Sequence, residues 1–193
     1  MDLKKYIGIY DDFIPYSVIS NLLKYCNDVN FEKARIINNH NDPNGIEDTS
    51  IRKTMTKNLS NVLTTSYTEM HWANYLTKTF FASIQVFKKD KKIIDFNVKN
   101  ISNIALLKYE NTGFYTWHVD HDKAAPRTMS MIFMLNNDYE GGELCFREPD
   151  GNNEITVEKK ANRLIIWPSN FLYPHTVKPV TKGTRYSVVC WAL

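Results

Sequence analysis

A chain of 193 residues with 43% hydrophobic content is long enough to bury one substantial core, and no Pro/Gly/Ser-rich linker divides it into independent halves. The formal net charge of +3, with Lys and Arg scattered among Asp and Glu, lacks the basic stripe that phosphate neutralisation demands, so no nucleic-acid partner is expected. Cys26, Cys145 and Cys190 form neither a Cys-x-x-Cys pair nor a disulfide framework, Met1-Asp2-Leu3-Lys4-Lys5 opens no apolar signal core, and no hydrophobic run approaches membrane-spanning length. These features anticipate a soluble, cytoplasmic protein without a membrane partner.

In chain order, Tyr6 to Ile14 reads as an opening strand, and Pro15 pre-sets the first turn of a helix that carries Val18, Ile19, Leu22, Leu23 and Cys26 on one side. Residues 34–61 are poor in apolar side chains and rich in turn formers, notably Asn41-Asp42-Pro43-Asn44-Gly45, which predicts a long loop and a candidate substrate lid. A second amphipathic helix is predicted from Tyr67 to Phe87, with Met70, Ala73, Leu76, Phe80, Ile84 and Phe87 along its apolar side. After Asp90 the period changes to short strands: Ile93 to Phe96, Ile104 to Tyr109, Tyr115 to Val119, Met129 to Leu135, Glu143 to Phe146, Ile155 to Val157, Leu164 to Trp167 and Arg185 to Ala192. Turns at Asn136-Asn137-Asp138, Gly141-Gly142 and Pro149-Asp150-Gly151 separate them. The expected architecture is mainly β with flanking α-helices, a closed or two-sheet arrangement such as a jelly roll.

The segment Tyr109-Glu110-Asn111-Thr112-Gly113-Phe114-Tyr115-Thr116-Trp117-His118-Val119-Asp120 places an imidazole and a carboxylate two residues apart on what reads as a strand, where alternate side chains point the same way. His118 and Asp120 can then reach one metal ion. His175, after a hydrophobic strand, would complete the two-histidine, one-carboxylate triad of non-haem Fe(II) oxygenases. Such a triad leaves coordination sites open for a bidentate keto acid and O2. The distal carboxylate of 2-oxoglutarate would then need a partner, and a guanidinium fork suits it. Strand parity turns Arg185 inward with Ser187, Val189 and Trp191, and Tyr109 inward with Leu107 and Ala105, so the Tyr109 phenol can bond the same carboxylate. His40, His71 and His121 are expected outside the site, and Trp72, Phe80 and Phe81 in the core.

The ordered pattern formed by Tyr109, Gly113, Tyr115, His118, Asp120, Arg127, Leu135-Asn136, Gly141-Gly142-Glu143-Leu144, His175-Thr176-Val177-Lys178-Pro179-Val180, Gly183, Arg185-Tyr186 and Trp191 resembles the prolyl 4-hydroxylase-type branch of the 2-oxoglutarate and Fe(II)-dependent dioxygenases. Ile9-Tyr10-Asp11-Asp12-Phe13-Ile14 followed by a helix is similar to the start of that family's fold. The resemblance implies a double-stranded β-helix (jelly-roll, cupin-like) core, with residues 1–193 as one dioxygenase domain. Within it, 1–95 would supply supporting strands, helices and the lid loop, and 96–193 the catalytic core. It further implies iron held by His118, Asp120 and His175, 2-oxoglutarate anchored by Arg185 and Tyr109, pocket-lining roles for Tyr115 and Trp191, and ascorbate as a reductant. The implied reaction hydroxylates a C–H bond, with O2 consumed and succinate and CO2 released, on a proline-containing peptide or protein. Arg185 stands where collagen-type relatives often have lysine, Asn162 where many have glycine, and Met134 where some have a tyrosine against 2-oxoglutarate. Alternatives are a hydroxylase of a free amino acid or other small molecule, and a non-catalytic jelly-roll binding or sensor module.

Overall fold

In the computed structural model, which describes residues 3–36, 45–60, 64–121 and 126–193, a 3-10 turn at Leu3–Tyr6 leads into β1 (Gly8–Asp11) and helix α1 (Tyr16–Asp28). Strands β2 (Glu32–Lys33), β3 (Arg52–Lys53) and β4 (Met55–Asn58) precede the long helix α2 (Tyr67–Lys91). There follow β5 (Ile101–Tyr109), β6 (Phe114–His118), β7 (Met129–Met134), β8 (Glu140–Gly141), β9 (Leu144–Phe146), β10 (Ile155–Thr156), β11 (Arg163–Pro168), β12 (His175–Val177), β13 (Val180–Lys182) and β14 (Arg185–Ala192). One sheet runs β1-β11-β7-β14-β5-β4-β2, a second runs β10-β9-β12-β6-β3, and β13 pairs with β8.

Period-two alternation in the large sheet sorts its side chains onto two cores. Ile104 and Leu106 of β5, Met131 and Phe133 of β7, and Val188 and Cys190 of β14 face helices α1 and α2, meeting Leu22, Cys26, Leu76, Phe80 and Phe87. Their neighbours Ala105, Leu107, Tyr109, Ile132, Met134 and Val189 face the smaller sheet and meet Leu144, Phe146 and Val177. Each fully buried Leu, Val or Phe contributes about 1.5–3 kcal/mol relative to exposure, so both faces of the large sheet are strongly held. The mainly β, jelly-roll expectation is met, and the helices cover the outer face. No helix among the described residues is long and apolar enough to cross a membrane.

Local chemistry explains the helix limits. Ser66 caps α2 by accepting from the Glu69 backbone N–H at 3.3 Å, and Lys92 ends it in the left-handed conformation with φ of 53°. Helix α1 starts directly after Pro15, whose φ of −57° suits a helix entry and whose missing N–H costs nothing there.

Several expectations need correction, among them Phe81, which is exposed on α2 and not in the core. Residues 34–61 are not loop throughout, because β3 and β4 lie within them: Arg52 pairs with Tyr115, and Met55–Asn58 pairs with β5 from Lys108 to Ala105. The run Ile93 to Phe96 forms no strand; Ile93 and Phe96 pack against the helix-side core instead, while Ile94 is exposed. The opening strand spans Gly8–Asp11, shorter than Tyr6 to Ile14. Residues 37–44, with His40 and the Asn41–Asn44 part of the expected lid, lie outside the described residues.

Candidate active site

Strands β6 and β12 are neighbours in the smaller sheet, and His175 pairs directly with His118 across the ladder. Asp120 lies two residues past His118, beyond the end of β6 and not on the strand itself. Even so, the three ligand-type atoms gather within 4.8 Å of one another. His175 Nε2 is 3.4 Å from Asp120 Oδ2, and His118 Nε2 is 3.8 Å from Asp120 Oδ1.

Both imidazoles are oriented from behind. Nδ1 of His118 bonds the Thr116 carbonyl at 2.8 Å, and Nδ1 of His175 bonds the Tyr173 carbonyl at 3.1 Å. A carbonyl can only accept, so Nδ1 carries the proton in each ring and the Nε2 lone pair faces the cluster centre. This is the arrangement that holds metal-binding histidines in one tautomer.

Electrostatics favour the same state. Burial, reinforced by the His175 imidazole, lowers the His118 pKa to about 3 and keeps it neutral. For Asp120 burial acts upward, but His175, His118, the Ser130 hydroxyl and Arg127 outweigh it and hold the carboxyl at about 2. A neutral imidazole facing an ionised carboxylate is the protonation state a divalent metal requires. Ser130 donates to Asp120 Oδ2 at 2.6 Å and contacts Ser169 Oγ at 2.7 Å. Arg127 Nη1 lies 3.6 Å from Asp120 Oδ1, with its guanidinium 3.8 Å from the Trp191 ring centre.

The triad opens onto a cavity of about 390 Å³ lined also by Tyr109, Tyr115, Trp167 and Trp191. Tyr115 stacks on His118 with ring centres 3.6 Å apart, and Trp167 stands edge-on to His175 at 4.9 Å. Arg185 does not itself line this cavity. It pairs with Tyr109 across β14 and β5, its guanidinium 5.1 Å from the Tyr109 ring centre, and is 1% exposed. Nη1 donates to Ser187 Oγ at 2.8 Å, while Nε and Nη2 have no hydrogen-bond partner. The buried Tyr139 hydroxyl lies beside it, close enough for the guanidinium to oppose the upward push of burial on its pKa, though without a hydrogen bond of good geometry. Gly142 makes room for this pair: at φ of 66°, a Cβ there would stand 3.0 Å from Tyr139 Cε2 and 3.2 Å from Arg185 Cδ.

The donor set fits its expected occupants. Two imidazole nitrogens and a carboxylate suit a ferrous ion with open positions. A buried guanidinium with unsatisfied N–H groups is costly unless an anion completes it, and a carboxylate does so bidentately. His121 is exposed, bonding the Arg127 carbonyl through Nδ1 at 2.7 Å, and His71 stacks near Tyr75 on α2, so neither joins the cluster.

Several site residues escaped sequence reasoning. Ser130 is a single hydroxyl in the otherwise apolar run Met129-Ser130-Met131-Ile132-Phe133-Met134, facing the same side as Ile132, and that polar interruption was its available signal. Tyr139 lies outside any strand, so parity could not orient it. Arg52 stacks over Tyr115 at 4.7 Å from a strand that reads as loop.

Residues 104–193 match the family model of the 2OG-Fe(II) oxygenase superfamily. A PKHD-type hydroxylase of Synechococcus sp. (strain CC9902) is 35% identical over 98 residues, 49% of this chain and 42% of the relative. Prolyl 3-hydroxylase 2 of Homo sapiens is 39% identical over 66 residues, covering 34% of this chain and 9% of that protein. The match thus spans less than half the length of these curated relatives. Among solved structures, a Trichoplax adhaerens prolyl hydroxylase in complex with a hypoxia inducible factor peptide fragment superimposes with a TM-score of 0.74 at 14% identity, covering 98% of this chain and 84% of that one. A Pseudomonas putida prolyl-4-hydroxylase gives 0.71 at 19% identity, covering 99% and 95%. The likeness of fold extends over nearly the whole chain, and the sequence match covers the segment that carries the triad and Arg185. Residues 104–193, which carry the triad and Arg185, are thus similar in sequence to the 2OG-Fe(II) oxygenase superfamily, and the whole chain shares the fold of solved prolyl hydroxylases.

Proposed function

We propose that the protein is an Fe(II)- and 2-oxoglutarate-dependent dioxygenase that hydroxylates a prolyl residue in a peptide or protein. His118, Asp120 and His175 would hold the iron, and Arg185, Tyr109 and Tyr139 the distal carboxylate of 2-oxoglutarate. When bound, Fe(II) and 2-oxoglutarate supply the oxidising power, coupling insertion of one O2 oxygen into a C–H bond to release of succinate and CO2. The carrying observation is the convergence of three remote side chains with both Nδ1 positions tied to carbonyls.

The chain's own residues then position and exclude. Ser130 and Ser169 fix the Asp120 carboxylate, leaving Oδ1 the less encumbered oxygen. The aromatic walls Tyr115, Trp167 and Trp191 keep the cavity narrow, limiting water where an oxidant forms. Residues 1–193 act in this reading as one domain: β1 extends the large sheet beside β11, and β3 and β4 add to both sheets. Three free, buried cysteines accord with a reducing, cytoplasmic setting.

The test is anaerobic addition of Fe(II) and 2-oxoglutarate, then air and a proline-containing peptide library. A visible charge-transfer band, succinate formation and a product mass raised by one oxygen are expected. Folded protein giving neither band nor succinate would replace this reading with a binding or sensor module. Turnover of free amino acids alone would move the substrate to a small molecule.

A further inference from the structure

Resting on the dioxygenase reading, we propose that the substrate is an acidic peptide, with a carboxylate side chain adjacent to the residue that enters the site. Three guanidiniums, Arg35, Arg52 and Arg127, line the cavity, against Asp120 as its one carboxylate among the described lining residues. Counted over these guanidinium and carboxylate side chains, the described lining carries a surplus of positive charge. A ferrous ion and a 2-oxoglutarate dianion carry equal and opposite charges, so loading the site leaves the surplus unchanged.

Two of the guanidiniums are anchored next to triad residues. Arg52 lies over the Tyr115 ring at 4.7 Å, and Tyr115 stacks on the His118 imidazole at 3.6 Å. Arg127 sits against Asp120, braced on the Trp191 ring. Stacking holds each fork in a fixed plane, which reduces the entropy lost when it grips an anion.

Acidic residues near Arg52 are engaged elsewhere. Asp48 accepts from the Ser50 backbone N–H at 2.9 Å, Glu47 pairs with Lys33 at 3.3 Å, and Glu110 pairs with Lys108 at 3.0 Å. Arg52 itself reaches a single backbone carbonyl, that of Arg35, at 3.4 Å, and its buried Nε has no hydrogen-bond partner. A buried guanidinium N–H without an acceptor is costly, and a carboxylate brought by the substrate would satisfy it. The basic lining spans a few side chains within one concave site and forms no extended stripe, which favours a peptide carboxylate over a phosphate backbone.

The experiment uses three fluorescein-labelled peptides of one length, each with a central proline flanked by glutamate, glutamine or lysine. Binding is read by anisotropy on the full chain loaded with Fe(II) and 2-oxoglutarate under argon. The glutamate peptide is expected to bind about tenfold tighter than the glutamine peptide, with the lysine peptide weakest. That ratio should shrink several-fold in Arg52→Gln, and also in Arg35→Gln, an exposed position where folding is not at stake. Equal affinity for all three peptides, or an unchanged ratio in both variants, would overturn the proposal. So would a single-stranded oligonucleotide that binds more tightly than the glutamate peptide and displaces it. A normal charge-transfer band with equal peptide affinities would sink the acidic-substrate reading alone. An absent band with the peptide ratio intact would sink the dioxygenase reading and leave the anion site standing.

Discussion

Asp120 depends on its neighbours to be a usable ligand. Its buried carboxylate is held by Ser130 at 2.6 Å, and Ser130 is itself braced by Ser169. Removing such a supporting hydroxyl commonly costs a metal site about 10–100-fold in affinity. Ser130→Ala is therefore expected to weaken Fe(II) binding at least about tenfold in an anaerobic titration while the fold survives; unchanged affinity would show that Asp120 is placed by the backbone alone. At the far end, Arg185→Gln should weaken 2-oxoglutarate binding about 100-fold, as loss of a buried charge-assisted pair implies, and Tyr139→Phe about tenfold, as loss of one hydrogen bond implies. Tyr139→Phe with full 2-oxoglutarate affinity would confine that hydroxyl to its contact with Arg185. The approach of His118, Asp120 and His175 was legible in their spacing and order, and the burial of Arg185 in strand parity. Ser130 and Tyr139 were not, since their importance comes from neighbours remote in sequence.

Edge pairing decides which elements could be read and which could not. Strands β5, β7 and β14 each bury both faces against different cores, so their alternation is dense and the sequence pattern finds them. Strand β3 is Arg52-Lys53 and β4 is Met55-Thr56-Lys57-Asn58, edge or near-edge pieces held by backbone pairing to β6 and β5 with little apolar signature. Ile93 to Phe96 misled in the opposite direction, because side chains that cover a core need no partner strand. Asn162 shows the same dependence on a join. It adopts φ of 62°, as its left-handed tolerance allows, but its side chain also receives the Ile14 N–H at 3.3 Å and donates to the Ile14 carbonyl at 2.7 Å. A glycine at this position would keep the backbone conformation and lose both bonds. Asn162→Gly is expected to cost about 1–2 kcal/mol in denaturant unfolding and Asn162→Ala more, since alanine adds backbone strain; a neutral Asn162→Gly would mean that water replaces the side chain. The β1–β11 pair adds a pH-dependent tie. Arg163 grips Asp11 bidentately at 2.7 and 3.0 Å, lowering its pKa from 3.8 to about 2. A depressed folded pKa gives stability that is fully present above about pH 4 and lost as pH falls through about 2. With the carboxylate 33% exposed, solvent screening leaves about 1 kcal/mol. Asp11→Asn should therefore be less stable by about that amount at neutral pH, with the gap closing in acid; a constant gap would assign the loss to packing.

The whole molecule converges on the triad through both sheets, so a metal bound there would be a cross-link as well as a reagent. His118 and His175 belong to adjacent strands of the smaller sheet, while Asp120 is tied to Ser130 of β7 in the large one. The Arg127 contact to Trp191 adds a second connection to β14. An ion bound by all three residues would thus join the sheets at the cavity floor, and it would bind the folded chain alone, because the ligands are dispersed when the chain unfolds. Occupancy at 100 times the dissociation constant stabilises by about 2.7 kcal/mol. For a chain of this size, about 1 kcal/mol moves the melting temperature by about 2–4 °C, so anaerobic Fe(II) should raise Tm by about 5–10 °C. His118→Ala and His175→Ala should abolish that rise, since each leaves only two of the three protein ligands. Arg185→Gln should keep the rise with Fe(II) alone and lose the further increment that 2-oxoglutarate adds. A rise that survives His118→Ala would place the stabilising ion elsewhere on the surface, and the convergence of the two sheets on one metal would then lose its thermodynamic support.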